Sequence, residues 1–141
     1  MNWLAFAFCL GLLGVSVGYL THRVLTSRCR QIIDRFRERF GDNIKIISGC
    51  GVVSRYNRVP GVLALVDERI FYEAAITGDS GNFRLQDIEK TVLEPAWKSH
   101  SRRVRKYRNA YALAFQLAGG DPALFVIAAK DRKAWQEALQ L

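Results

Sequence analysis

Between Trp3 and Leu20 the chain runs for 18 residues without one charged side chain, and no other feature narrows its possible folds as much. Wound as an α-helix at ~1.5 Å per residue, the run reaches roughly 27 Å, close to the hydrocarbon thickness of a bilayer. A helix makes its backbone hydrogen bonds within itself, so one such segment can cross lipid alone. Trp3 and Tyr19 stand near its ends, where amphipathic rings favour the headgroup level. Gly14 and Gly18, four residues apart, would let a second helix approach closely. The expectation is a membrane-spanning anchor over residues 1–21. A cleaved signal peptide is the rival: Ser16-x-Gly18 offers a small-x-small cleavage site, but only the α-amino group supplies positive charge ahead of Trp3. A buried core helix is disfavoured, because so small a domain has little interior for a helix apolar all round.

The formal charge of +8 is local rather than spread. Residues 23–39 carry six arginines against Asp34 and Glu38, a net +4. Residues 98–108 carry Lys98, Arg102, Arg103, Arg105, Lys106 and Arg108 with no acid, a net +6, which leaves −2 for all the rest. The first patch follows the apolar run directly and nothing basic precedes that run. The positive-inside rule then places the amino terminus outside and the domain in the cytoplasm, at the cell membrane. Cys9, Cys29 and Cys50 form neither a metal-ligand spacing nor a dense disulfide framework, in keeping with a reducing compartment. Cys29 is placed to accept a palmitoyl group; an idle thiol is the plainer reading.

Residues 22–43 read as a basic juxtamembrane helix that continues the anchor. Ile32, Ile33, Phe36 and Phe40 form one apolar stripe, and Gly41 suits the helix stop. The stripe either packs on the following domain or lies in the lipid interface with arginines on the headgroups. From Ile44 the period changes to two. Ile44–Val53 reads as a strand bulged or bent at Ser48-Gly-Cys-Gly51, and Arg55–Gly61 as a turn-rich connection. Two apolar runs then flank Asp67-Glu68, a tight hairpin. Strands follow over Asn82–Gln86, Thr91–Trp97, Tyr111–Leu117 and Ala123–Ala129, and Asp131 is placed to cap a closing helix carrying Trp135, Ala138 and Leu139. The fold class expected is mostly β: a seven-stranded antiparallel curled sheet over residues 44–141, closed by a carboxy-terminal helix.

That order resembles the pleckstrin-homology-like (PH-like) superfold, in particular its bacterial PH and GRAM-type members. The hairpin Gly61-Val-Leu-Ala-Leu-Val-Asp-Glu-Arg-Ile-Phe-Tyr72 is similar to the group's G-x-L-x-L-T-x-x-R-L-x-F run, with Val66 where Thr is usual. Phe83-Arg-Leu-Gln-Asp-Ile88 resembles the step into the fifth strand, and Trp135 the aromatic that plugs one end of the barrel. In phosphoinositide-binding members the first connecting loop supplies basic ligands. Arg55 and Arg58 occupy that loop here, but without the spaced Lys…Lys/Arg-x-Arg pattern.

Chemistry finds little footing. His22 and His100 stand near no Cys or acid at a catalytic spacing, and no nucleophile elbow, phosphate loop, zincin motif or Cys-x-x-Cys occurs. No enzyme, cofactor, metal or nucleic-acid partner is expected. The candidate surface comprises Arg55, Arg58, Lys98, Arg102, Arg103, Arg105, Lys106 and Arg108, with the segment 98–108 read as a hairpin loop leading into an extended strand. The expectation is a non-enzymatic interaction module that binds membrane proteins or self-associates at the bilayer, helped by anionic lipid. Direct recognition of anionic headgroups is the alternative; an enzyme comes third.

Overall fold

The computed structural model describes residues 2–54 and 57–141. One helix, α1 (Trp3–Phe40), runs without a break through the apolar run and the basic stretch. Asn2 caps its start through Oδ1, which accepts from Leu4 N, and Gly41 ends it in the left-handed region at φ 53°. Its first half is long and apolar enough to cross a membrane, and none of that apolar window is buried in protein.

Seven strands follow: β1 (Ile44–Val53), β2 (Arg58–Val66), β3 (Arg69–Ala74), β4 (Ser80–Arg84), β5 (Ile88–Pro95), β6 (Ala110–Leu117) and β7 (Ala123–Ala128). A one-turn helix, α2 (Arg102–Arg105), interrupts the link from β5 to β6, and α3 (Arg132–Ala138) closes the chain. The strands form a single antiparallel sheet in the order β4-β3-β2-β1-β7-β6-β5. That sheet is curled. Laid flat at ~4.8 Å per strand, β4 and β6 would stand roughly 24 Å apart. Instead the rings of Phe83 on β4 and Phe115 on β6 lie 5.3 Å apart, and Tyr72 on β3 meets Phe125 on β7 at 5.4 Å. Leu63, Leu65, Ile70, Leu113, Phe115 and Phe125 therefore share one inner core.

Trp135 on α3 is fully buried in this core. Its indole Nε1 donates to Ser48 Oγ at 2.9 Å, so the ring's one polar atom is satisfied inside. Asp131 stands at the start of α3, but its side chain makes no capping bond there.

Several strand boundaries differ from the sequence reading. β1 pairs regularly with β2 through Ser48–Gly51, and the irregularity falls at Ile44/Ile46 instead. The small residues of 48–51 serve packing on both faces rather than an inserted residue. β2 begins at Arg58, so Arg58–Gly61 belong to a strand and not to a loop. β4 ends at Arg84, and Leu85–Asp87 turn as a short 3-10 segment. β5 spans Ile88–Pro95 rather than Thr91–Trp97. The hairpin at Asp67-Glu68 forms as read, with Asp67 in the left-handed region at φ 52°.

β2 is buried on both faces, because the outer face of β1–β3 is covered by α1. Val62, Ala64 and Val66 pack outward on Ile32 and Phe36, with Ile33, Phe40 and Phe71 around them. The stripe of Ile32, Ile33, Phe36 and Phe40 thus packs on the following domain, the first of its two expected places. Polar contacts fix the register. Arg35 pairs with Glu73 at 3.2 Å. Ala75 N donates to Pro60 O at 2.8 Å, and proline has no N–H to return the bond. Arg28 Nη1 donates to the orphaned Ala75 carbonyl at 3.4 Å.

Candidate functional site

The basic segment 98–108 is not extended. Ala96–Lys98 form a 3-10 turn and Arg102–Arg105 form α2, so no residue of the segment lies in a strand. The physical cause is Val104. Its side chain is fully buried with Ala96, Ala112 and Val126, and it folds the segment onto the outer face of β6 and β7. An extended strand would have alternated this one apolar residue among cations with nothing to bury it. Lys98, Arg102, Arg103, Arg105, Lys106 and Arg108 are all exposed around that fixed point.

The fold draws this segment to the start of β2, over 40 residues away in the chain. Arg103 Nη1 donates to Ser54 O at 2.6 Å. The Arg58 guanidinium lies over the Tyr107 ring, 4.1 Å from its centroid, and Lys106 Nζ approaches the same ring at 5.3 Å. Arg58 reaches Tyr107 by crossing Gly51, where an added Cβ would fall within 2.9 Å of the arginine stem. Hydrogen bonding from Arg58 lowers the Tyr107 phenol from its ordinary 10.0; partial burial opposes this, and the charges of Arg58 and Lys106 reinforce it. Among the described residues, no carboxylate pairs with Arg58, Arg103 or Lys106.

Of the residues singled out in the sequence, Arg58, Arg103 and Lys106 gather in one cluster. Lys98 lies on the Trp97 ring at 5.0 Å, and Arg102, Arg105 and Arg108 are exposed without a partner in the cluster. Arg55 lies outside the described residues. Sequence reading missed Tyr107 as the organising ring and Gly51 as the groove for Arg58. A small residue facing a long cation in the paired strand was the available signal.

The cluster's place relative to α1 follows from packing. Arg28 and Cys29 touch Ala75 and Gly61, whereas Phe40 stacks on Phe71 at 4.6 Å. β2 therefore runs in the same sense as α1, and its first residue, Arg58, lies at the end nearest the apolar half. The span from Leu20 to Arg28 is about 12 Å of helix. Ser54, Ile76 and the start of β7 share this end, nearer the apolar half of α1, and the Asp67-Glu68 hairpin lies at the other.

No disulfide links the three cysteines. Cys29 is half-buried, its Sγ 3.9 Å from Gly61 O, and burial raises its thiol above the ordinary value. Cys50 packs on the inner face of the sheet, and burial, with a small addition from Cys29, pushes its thiol up to about 12. Cys29 packs on the outer face, and both thiols are free. Among the described residues, no three of His, Cys, Asp and Glu come together as metal ligands.

No protein-family model matches the chain, and no curated protein matches it. Among solved structures it is similar to the crystal structure of the C-terminal domain of an unknown protein from Leishmania infantum, at 18% identity and a TM-score of 0.56. The match covers 77% of this chain and 94% of that one. At such identity the likeness concerns the fold alone.

Proposed function

We propose that this chain is a single-pass membrane protein whose cytoplasmic domain is a PH-like, non-enzymatic interaction module held with its basic end against an anionic leaflet. The strand order β4-β3-β2-β1-β7-β6-β5 with a closing helix supports the PH-like reading. The observation that carries the function is the gathering of Arg58, Arg103 and Lys106 at the end from which α1 leaves toward its apolar half. Each such charge near an anionic surface contributes about 1 kcal/mol. A spanning helix already retains the protein at the membrane, so these charges orient the domain rather than recruit it. Arg23 and Arg28, on the same side of the bilayer, support an amino terminus outside and a domain inside.

Its partners are membrane proteins in preference to a parallel second copy. Gly11, Gly14 and Gly18 precede Cys29, Ile32 and Phe36 by 18 residues each, which is five helical turns. The glycine face therefore points the same way as the domain. Two parallel copies meeting on that face would drive both domains into one volume. A partner helix that ends at the membrane surface meets no such obstacle, and tethering raises its local concentration to about the mM range.

The test uses the full chain in nanodiscs of neutral phosphatidylcholine or of a phosphatidylcholine–phosphatidylglycerol mixture. Trypsin cleavage within Arg102–Arg105 should slow by about tenfold in the anionic discs. Joint replacement of Arg58, Arg103 and Lys106 by Gln should abolish the difference. Equal cleavage of the unaltered chain in both discs would refute the reading.

A further inference from the structure

Where α1 ends, at the end of the domain far from its apolar half, a hollow of about 650 Å³ opens on the outer face of the sheet. Its floor is aromatic: Phe40 and Phe71, both half-buried, have ring centroids 4.6 Å apart, and Val66 lies beside them. Arg69, two residues before Phe71, shares its face of β3. Arg84 on β4 is the direct cross-strand partner of Arg69, so both guanidiniums stand on that face and both line the hollow. Like charges set opposite each other cost stability, and this pair is kept nonetheless. Each guanidinium is fixed along one edge. Arg69 Nη1 donates to Asn82 Oδ1 at 2.8 Å, and Arg84 donates to Asp87 through Nε at 3.0 Å and Nη2 at 3.3 Å. The remaining donors are held in place for something else. Lys45 on β1 brings a further exposed cation to the hollow, with no carboxylate in salt-bridge contact among the described residues. The acids of the lining, Asp67 and Glu68, both sit on the β2–β3 hairpin, and they too are exposed.

We infer that this hollow docks a short acidic segment of a partner protein, with one aromatic side chain on the Phe40–Phe71 floor and carboxylates on Arg69, Arg84 and Lys45. Charge complementarity sets the chemistry. Two guanidinium forks on adjacent strands suit carboxylates, and their fixed edges lower the cost of ordering them. Asp67 and Glu68 turn carboxylates away from the hairpin side, so the acidic residues of the segment face β1 and β4. Distance sets the source. Leu20 to Phe40 is roughly 30 Å of helix, beyond the reach of a lipid headgroup. A cytoplasmic segment of a membrane protein covers that distance with about ten extended residues. Held in the same bilayer, such a partner needs only weak affinity. The inference rests on the reading of membrane proteins as partners and names what such a partner presents; it uses no residue of the basic cluster at the other end.

The full chain in neutral phosphatidylcholine nanodiscs is titrated with three labelled, terminally blocked peptides, Glu-Glu-Trp-Glu-Glu, Glu-Glu-Ala-Glu-Glu and Lys-Lys-Trp-Lys-Lys. Fluorescence anisotropy reads binding, with empty discs as background. The first peptide should bind about tenfold more tightly than the second, which lacks the ring, and the third should not bind. Joint replacement of Arg69 and Arg84 by Gln should weaken the first peptide about tenfold, the scale of one charge-assisted hydrogen bond. Both side chains are exposed, so the fold survives their loss. Glu68→Gln should tighten the same peptide about threefold, a gain that damage to the fold would not produce. No binding of the first peptide, equal binding of the first two, or preference for the basic one would overturn the inference. Displacement of the first peptide by adenosine triphosphate at a lower concentration than the peptide itself requires would reassign the hollow to a nucleotide. The Arg69/Arg84 variant should keep the protection of Arg102–Arg105 in anionic discs. If protection stands and no acidic peptide binds, only this docking site falls; if the peptide binds and protection fails, only the orientation falls.

Discussion

The outer face of the curled sheet is covered twice, by α1 over β1–β3 and by the 96–108 segment over β6 and β7. Both covers are rich in arginine, and they use it in opposite ways. Under α1 a continuous apolar stripe seals the face, and at its exposed margin Arg28 and Arg35 bond to Ala75 O and Glu73. Under the second cover the seal is smaller, Val104 and Ala96 with Tyr107 beside them, and the cations stay exposed around it. A run of arginines therefore says nothing about role until the acceptors are known. Where the sheet offers a carboxylate or an orphaned carbonyl, arginine is a fastener. Where it offers only a ring and one carbonyl, as to Arg58 and Arg103, the guanidinium stays exposed and keeps donors for an anion from outside.

Breaking the shared inner core should outweigh any change to either cover. Trp135→Ala removes the largest buried ring and strands the Ser48 hydroxyl, and urea unfolding of the detergent-solubilised chain should show a loss of about 3–5 kcal/mol. A loss below about 1 kcal/mol would mean that both covers hold the sheet without this plug.

The α1 cover comes next. Phe36→Ala should cost about 3 kcal/mol in the same assay. Deleting the cover altogether is more telling. A fragment of residues 42–141 exposes Val62, Ala64, Val66 and Phe71 and should elute as aggregate, whereas residues 24–141 should elute as a monomer. Identical monomeric elution would show that α1 is a tether and not part of the core.

The second cover should matter less for stability. Val104→Ala removes its largest fully buried side chain and should cost about 2 kcal/mol, with faster tryptic cleavage at Arg102–Arg105. If it proves as costly as Phe36→Ala, the contrast between sealed and loosely fastened covers is wrong.

The smallest effect is electrostatic. Arg58→Gln should raise the Tyr107 phenol toward its ordinary value, visible as a later alkaline rise in phenolate absorbance. A lowered folded-state value favours the phenolate in the native protein. Its slight stabilisation is therefore present above the unfolded value near 10 and is lost as pH falls through the folded one. An unchanged titration would remove Arg58 from the ring.

Much of the fold was legible because it is written in local periods. The period-two runs of β3 and β6, the Asp67-Glu68 hairpin and the spacing of Trp135, Ala138 and Leu139 each depend on neighbours in the chain. Strand ends were less legible, as at Arg58 and Leu85, because pairing partners decide where a strand stops. The site was half legible. The cations were visible, but their convergence required Val104 to find a pocket and Gly51 to leave a groove, and both depend on strands distant in sequence.

By itself the sequence determined that a charge-free stretch of 18 residues leads into a basic helix, and that alternating apolar strands with one closing tryptophan follow. Those are consequences of side-chain period and hydropathy, which need no tertiary information. Only the tertiary structure decided which arginines are fasteners and which are free, and that Pro60's missing donor is answered by Arg28. It also decided that Arg58, Arg103 and Lys106 converge beside Tyr107. The reason is physical. A hydrogen bond or a stacked cation is set by distances of about 3–5 Å between residues as far as 87 positions apart, and only the folded sheet creates those distances.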